Sequence, residues 1–256
     1  MTLQRENGSI IKTLFSLWVL CFFTGMIFHF RAVSSISTGL LLITGLACYK
    51  KKAVSLLFRS SLSPFLISCL LYFLYTVINL LLKDNTTVMR SQLEMKSALV
   101  LVPVAVSFTG FVGSKQLKRL MQYFVLLLLA ACLYCLLIDV NTWIRTGQET
   151  IFFYHDLVSP LNQHAVFFSF LLFFSLLYIL EYGTGFNFLP GKKLDGILTV
   201  FFSLILVLLA SKLILFCWVV YLVYYFLKNK TGKKKLGWLL LLLVPLLLIA
   251  FTKNPV

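Results

Sequence analysis

The sequence predicts an all-α, polytopic helical membrane protein with about nine transmembrane spans. Of its 256 residues, 60% are hydrophobic and 12% are charged, whereas an average soluble domain has about 45–50% and about 25%. The apolar residues come in long Leu-rich blocks without alternation, such as 125–137 and 239–251, and short basic patches separate the blocks. Because a helix satisfies its own backbone hydrogen bonds inside lipid, such blocks indicate transmembrane helices.

The early spans are delimited by polar and basic residues. The first span follows a polar start and has no small-residue cleavage motif, so we expect it to be retained rather than removed as a signal peptide. Basic residues at 50–52 separate the second span from the third, and Pro103 is expected to kink the fourth. The predicted spans are about 11–30, 33–49, 63–82, 95–111, 119–139, 159–181, 195–210, 213–227 and 236–252.

The seventh and eighth spans come from one apolar run, residues 194–227, whose only charged residues are Asp195 and Lys212. Basic residues flank the run on both sides, so an even number of crossings keeps both basic flanks on one side of the membrane. The break is predicted at Ala210, Ser211 and Lys212. Each half is short for a hydrocarbon core of about 30 Å, so Lys212 would lie at the tip of a short re-entrant-like hairpin.

The distribution of basic residues predicts the topology. With a cytoplasmic N-terminus, sixteen of the 23 Lys and Arg residues lie in cytoplasmic segments. The predicted location is therefore the bacterial inner membrane, with multiple passes and the C-terminal end of this chain in the periplasm. The net charge of +15 follows the ends of apolar blocks and forms no basic face, so we expect no nucleic-acid partner. The six cysteines lie in or beside apolar stretches, which argues against a disulfide framework.

Lys212 is the strongest candidate for a functional residue, together with the adjacent Ser211. An ionisable group in the middle of an apolar run is costly unless it faces the bundle interior or a water-filled cavity. The alternative is a lysine that extends to the outer membrane interface from the hairpin tip.

A second group of candidates lies at the entrance to the sixth span, where His155, Asp156 and His164 occur close together. Three or four converging ligands would be needed for a metal site, so substrate contact or helix capping is preferred and no metal is expected. At the mouth of the fourth span, Arg90 could bind phosphate oxygens, or it could pair with Glu94 four residues later. The chain has no phosphate-binding glycine loop and no hydrolase motif, and no cofactor is expected.

Four stretches, taken in order, resemble the O-antigen ligase and polymerase superfamily of bacterial envelope glycosyltransferases, particularly its Bacteroidetes-type members. They are 93–103 (LEMKSALVLVP), 154–169 (YHDLVSPLNQHAVFFS), 208–212 (LLASK) and 251–255 (FTKNP). Members of that family carry a large outer loop with a catalytic-site His, followed by closing helices. The chain ends where that loop would begin, so the resemblance implies an N-terminal portion, truncated at the C-terminus, whose catalytic residues remain unknown and whose base lies in the absent loop.

The resemblance implies transfer of a glycan from a polyprenyl diphosphate carrier to a lipid A core or to another glycan chain, without a cofactor or a metal. In that scheme Lys212 and Arg90 bind the diphosphate, while His155 and His164 orient the glycan or the acceptor. The family's hairpin reads Ser-Arg. Lys212 keeps the positive charge but lacks the planar fork that binds phosphate through two hydrogen bonds.

Three alternatives remain open at this point. One is a non-catalytic remnant or an assembly partner, which the end of the chain at Val256 and the lysine in place of the family's arginine would favour. An O-antigen polymerase of the same superfamily would use the same donor with a different acceptor. A polytopic transporter or flippase for a lipid-linked or small substrate would be expected to show broken or charged helices in both halves, and the sequence has one such break, at Lys212.

Overall fold

The computed structural model describes residues 2–47, 63–82, 97–98, 100–106, 108, 114–185 and 191–228. Within these ranges the chain forms helices, turns and short connections without a β-strand, so the predicted all-α class is confirmed there. Two 3-10 helices, Glu149–Phe152 and Asp156–Leu161, lie in the chain between Thr146 and Ala165. The α-helices are α1 (Thr2–Ile27), α2 (Arg31–Ala47), α3 (Ser63–Leu82), α4 (Ser114–Thr146), α5 (Ala165–Tyr182), α6 (Gly191–Leu208) and α7 (Lys212–Lys228), with a further helical stretch at 100–106.

Two helices in the described part of the chain are both long enough and apolar enough to cross a bilayer, namely Lys115–Thr146 within α4 and Ala165–Tyr182, which is α5. The helix α2 is shorter, at 17 residues, and α6 carries three charged residues near its start. The ninth predicted span, about 236–252, lies outside the described residues. Nine spans therefore stay a prediction.

The chain divides into two compact units, Met1–Met26 with Phe30–Tyr123 (unit 1), and Ile27–His29 with Phe124–Val256 (unit 2). In unit 1, α1 and α2 approach closely near their connecting turn. A Cβ added at Gly25 would lie 2.7 Å from the backbone nitrogen of Ser34. The buried core of this unit contains Phe15, Val19, Leu41 and Ala105.

The helix α2 buries small and polar residues together with Leu41, and its exposed residues include large apolar ones. Ser37, Thr38 and Gly45 are buried, whereas Ile36 and Ile43 are each more than 60% exposed. The hydroxyl of Thr38 donates to a backbone carbonyl one turn earlier at 2.7 Å, so its burial leaves no unsatisfied donor. Buried small and hydroxyl-bearing residues beside exposed isoleucines are typical of helices that pack against each other in lipid.

In unit 2, α5 packs against both α6 and α7. The three helices alternate in direction because short connections join the end of each to the start of the next. Their shared core is aromatic and aliphatic. Phe168 and Leu172 of α5, Phe202 of α6 and Trp218 of α7 are almost completely buried.

The helix α5 also buries hydroxyl groups, which lie among its buried apolar residues, and it exposes aromatic residues. Ser169 and Ser175 are fully buried, whereas Phe170 and Phe174 are each nearly half exposed. The two phenylalanine rings pack edge to face, with centroids 4.9 Å apart. An outward-facing pair of aromatic rings would be unfavourable in water and is favourable against lipid chains.

Two helix boundaries differ from the sequence-based expectation. The sixth predicted span was expected to begin at about 159, but residues Asp156–Leu161 form a 3-10 helix and α5 begins at Ala165. The chain is interrupted at Asn162, which adopts the left-handed conformation with φ of 51° and cannot continue a helix. The fifth predicted span was expected to end at about 139, but α4 continues to Thr146.

Candidate functional site

The candidate site lies at the end of unit 2 where α4 ends and α7 begins. We call Gly147–His164, which joins α4 to α5, the connecting segment. It is held at three points: Tyr154 donates its backbone N–H to the carbonyl of Leu208 at 3.0 Å, and the ring of Phe152 packs edge-on against Trp143 at 6.3 Å. The buried side chain of Gln163 donates to the carbonyl of Ile27 at 3.2 Å. The segment is therefore fixed to α4, to α6 and to the end of α1.

The structure brings the side chains of His155 and His164 together. Their rings meet edge to face with centroids 4.5 Å apart, and the ring of Tyr154 packs on His155 at 4.1 Å. Nδ1 of His155 accepts from the backbone N–H of Ala165, and Nδ1 of His164 accepts from that of Val166, each at 3.4 Å. An accepting Nδ1 places the ring proton on Nε2. Each exposed imidazole therefore has an Nε2–H donor to offer to a ligand.

These hydrogen bonds also agree with the alternative role, in which the two histidines cap the start of α5. The first turn of α5 has backbone N–H groups with no acceptor inside the helix, and the two Nδ1 atoms accept from two of them. Capping uses Nδ1 only, so it does not exclude ligand binding through Nε2. The structure is compatible with both roles.

The hairpin expected at Ser211 and Lys212 lies at the same end of unit 2. The helix α6 ends at Leu208 and α7 begins at Lys212, so the long apolar run consists of two helices with a tight turn between them. Ser211 is buried, and its carbonyl accepts from the N–H of Leu215 at 2.9 Å in the first turn of α7. The side chain of Lys212 is exposed. Arg90 lies outside the described residues.

Three non-glycine residues near this end have left-handed backbone conformations: Tyr154 with φ of 56°, Asn162 with φ of 51° and Ala210 with φ of 48°. For a residue with a Cβ, this conformation costs about 1–2 kcal/mol. Tyr154 and Ala210 lie close together because Tyr154 bonds to Leu208. Strained backbone of this kind concentrates at binding and catalytic sites.

Sequence reasoning missed Asp139, the last residue of the fifth predicted span. In the structure Asp139 lies inside α4 and is 2% exposed. Its Oδ2 has no hydrogen-bond partner among the described residues. The signal in the sequence was a lone carboxylate in a long apolar helix, followed by seven further residues that could extend the helix to Thr146.

The opposite end of unit 2 carries a separate polar cluster. The hydroxyl of Tyr221 donates to Glu181 at 2.8 Å, and Lys228 lies 3.7 Å from the same carboxylate. Asp195 accepts from the backbone N–H of Thr184 at 2.8 Å, which closes the connection between α5 and α6. These contacts join the helices pairwise and use their polar groups internally, so this end is structural.

Comparison with known proteins gives no match. No family model, no curated protein and no solved structure is similar to this chain. In the described part of the chain, no group of three or more His, Cys, Asp or Glu side chains is arranged to hold a metal ion. The candidate site instead presents two imidazole N–H donors, an ammonium group and carboxylates, a set suited to hydrogen-bonding an oxygen-rich ligand.

Proposed function

We propose that this protein is an O-antigen ligase-like membrane glycosyltransferase, which moves a glycan from a polyprenyl diphosphate carrier to a lipid A core or to another glycan chain. The observation that carries the proposal is the position of His155 and His164 at the same end of unit 2 as the Ser211–Lys212 turn. The four sequence stretches that resemble that superfamily include both of these elements.

Location in the bacterial inner membrane, with the nine-span topology and a cytoplasmic N-terminus, is part of the proposal. The exposed isoleucines of α2 and the exposed phenylalanines of α5 support the membrane as solvent, because large apolar side chains face outward on both helices while hydroxyl groups lie among the buried residues. Two helices of crossing length agree with this. On this topology the candidate site faces the periplasm.

The site chemistry fits departure of a diphosphate. When the acceptor hydroxyl attacks the anomeric carbon, the bond from that carbon to the diphosphate oxygen breaks and negative charge develops on the leaving group. The ammonium group of Lys212 would stabilise that charge. The Nε2–H groups of His155 and His164 would donate to glycan hydroxyls or phosphate oxygens. The base that takes the hydroxyl proton is not assigned.

The test is deletion of the gene followed by gel analysis of lipopolysaccharide and capsule. We expect loss of attached polymer for a ligase and single-repeat glycan for a polymerase, with restoration by the wild-type gene. Complementation with Lys212→Ala or with His155→Ala is expected to fail. Lys193→Ala, an exposed lysine at the opposite end of unit 2, is the matched control and should restore the pattern. An unchanged glycan pattern in the deletion strain would refute the proposal.

The second candidate function is transport or flipping of a lipid-linked or small substrate. It is favoured by Asp139, because ionisable residues buried inside membrane helices commonly mark ion or substrate pathways. The two functions differ in where substrate accumulates when the protein is absent. A missing flippase leaves lipid-linked glycan on the cytoplasmic leaflet, whereas a missing transferase leaves it on the periplasmic leaflet.

A further inference from the structure

The end of unit 2 opposite the candidate site is rich in tyrosine. Five of the chain's eleven tyrosines lie toward the ends of α5 and α7, namely Tyr178, Tyr182, Tyr221, Tyr224 and Tyr225. Tyr178 stacks on Tyr182 with ring centroids 5.7 Å apart. The ring of Tyr221 lies 6.2 Å from that of Tyr224 and 6.4 Å from that of Tyr225. We call these five residues the tyrosine cluster.

The lengths of the two helices place the tyrosine cluster at a membrane boundary. The helix α5 has 18 residues and α7 has 17, and a rise of about 1.5 Å per residue makes each about 25–27 Å long. A hydrocarbon core is about 30 Å thick. With α5 and α7 across the bilayer, the cluster therefore lies where hydrocarbon meets water. Tyrosine favours this depth because its ring is apolar and its hydroxyl group is polar.

One ridge of α7 changes from apolar to charged toward the same end. Phe216, Val220, Tyr224 and Lys228 follow one another at intervals of four residues, so they form one ridge on the helix surface. All four side chains are exposed. Along the ridge, two apolar side chains are followed by a phenol and then by an ammonium group. A phospholipid has the same order of acyl chains, ester groups and headgroup.

The ammonium group of Lys228 is oriented by two contacts at the end of this ridge. Its Nζ lies 3.7 Å from Oε2 of Glu181 and 5.8 Å from the centroid of the Tyr224 ring. The distance to Glu181 is that of an ion pair and is longer than a hydrogen bond. An ammonium group has three N–H donors, and the side chain of Lys228 is 53% exposed. A phosphate oxygen can therefore approach Nζ while Glu181 stays in place.

The charge near this end favours an anionic partner. Lysines occur at the start of α6, at the end of α7 and in the seven residues that follow α7 in the sequence: Lys192, Lys193, Lys228, Lys230, Lys233, Lys234 and Lys235. A hydrogen bond from Thr184 to Asp195 keeps the start of α6 beside the end of α5. The acidic residues in 181–235 are Glu181 and Asp195. A group of about four to eight basic residues beside a membrane helix is typical of segments that attract anionic phospholipids.

We propose that the outward ridge of α7, from Phe216 to Lys228, is a binding site for an anionic phospholipid. The ammonium group of Lys228 donates to the headgroup phosphate, and the hydroxyl of Tyr224 donates to a phosphate or ester oxygen. The acyl chains lie against Val220 and Phe216. On the proposed topology the site is in the cytoplasmic leaflet. The inference rests on the membrane placement in the proposed function and is independent of glycan transfer.

The test is titration of the purified full-length chain in dodecyl maltoside with phosphatidylglycerol, followed by native mass spectrometry. Phosphatidylcholine with the same acyl chains is the control lipid, because its headgroup has no net charge. We expect the wild type to bind phosphatidylglycerol more tightly than phosphatidylcholine. Lys228→Ala should weaken phosphatidylglycerol binding by about tenfold or more, because a hydrogen bond between charged groups is lost. Lys228→Arg should keep most of the affinity. Equal affinity of the wild type for the two lipids would overturn the proposal.

Lys193→Ala is the matched control variant. It removes the same charge from the same end of unit 2, and Lys193 is exposed but belongs to α6 rather than to the ridge. We expect it to weaken phosphatidylglycerol binding by less than about fivefold. Equal losses in Lys193→Ala and Lys228→Ala would mean that net charge alone attracts the lipid, and the ridge would then not be a site.

A second comparison separates lipid binding from folding. Glu181→Gln breaks the same ion pair as Lys228→Ala but keeps the ammonium group and removes the anion beside it. It should bind phosphatidylglycerol at least as tightly as the wild type, even at a lower melting temperature. A loss as large as that of Lys228→Ala would assign the effect to the ion pair and overturn the proposal. These readouts use purified protein, so a normal glycan pattern in the deletion strain refutes glycan transfer alone.

Discussion

Gly45 in α2 is a position where the structure leaves no room for a side chain. A Cβ built there would lie 2.8 Å from the backbone oxygen of Ala105 and 3.1 Å from its Cα. Ordinary contact begins at 3.4 Å, so the oxygen would have to retreat by 3.4 − 2.8 = 0.6 Å. Because the opposing atoms belong to the backbone, rotation of a side chain cannot relieve the overlap. Overpacking of this kind costs about 1–3 kcal/mol.

Gly39 supplies a matched control in the same helix. A Cβ added there meets nothing within 4 Å. Gly39→Ala is therefore expected to stabilise α2 slightly, by about 0.5–1 kcal/mol, because alanine loses less conformational freedom than glycine on forming a helix. The two substitutions add the same methyl group to the same helix, so the difference between them isolates the close approach to Ala105.

The assay is thermal unfolding of the purified variants in one detergent. A change of 1 kcal/mol corresponds to about 2–4 °C for a domain of roughly 150–250 residues, so Gly45→Ala should melt about 2–12 °C below the wild type. Gly39→Ala should melt at or above the wild-type temperature. If Gly45→Ala proved as stable as Gly39→Ala, close packing of α2 on the stretch at 100–106 would be refuted.

Three further predictions concern unit 2. Ser175→Ala should leave the melting temperature unchanged or raise it, because the buried hydroxyl has no partner among the described residues. Ser169→Ala should lower the stability by about 1 kcal/mol, because it removes a 2.8 Å hydrogen bond to the backbone. His164→Ala should cost about 0.5–2 kcal/mol through loss of the helix cap, and His164→Asn should restore part of it; equal melting of the two variants would contradict the capping role. Tyr221→Phe should lower the free energy of unfolding by about 0.5–1.5 kcal/mol. The double variant with Glu181→Gln should lose less stability than the sum of the two single losses, because the two side chains share one hydrogen bond.

The helical class and the position of the break before Lys212 were accessible from the sequence. Both depend on local or statistical properties: runs of apolar residues define helices, and a lysine between two basic flanks marks a turn. The proximity of His155 and His164 was also predictable, because only eight residues separate them and the second directly precedes a helix.

The burial of Asp139 was not predictable in the same way. Its neighbours in sequence favour a helix that ends at a polar residue, and the first polar residue after the apolar block is Asp139 itself. The continuation of α4 to Thr146 and the packing of the connecting segment against Trp143 of α4 depend on contacts made far along the chain, such as the bond from Tyr154 to Leu208. The left-handed conformation of Asn162 was not predictable either, because the surrounding fold maintains it.

The sequence by itself determined that the described chain is helical, that two of its helices are long and apolar enough to cross a bilayer, and that a turn separates α6 from α7. These properties follow from composition and from the order of apolar and charged residues, which act through local backbone geometry and solvation. The tertiary structure decided which hydroxyl groups and glycines face inward, where the two imidazoles direct their Nδ1 atoms, and that the carboxyl group of Asp139 is enclosed, with no hydrogen-bond partner for its Oδ2 in the described part of the chain. Those outcomes depend on which residues distant in sequence come into contact, and the pattern along a single helix does not contain that information.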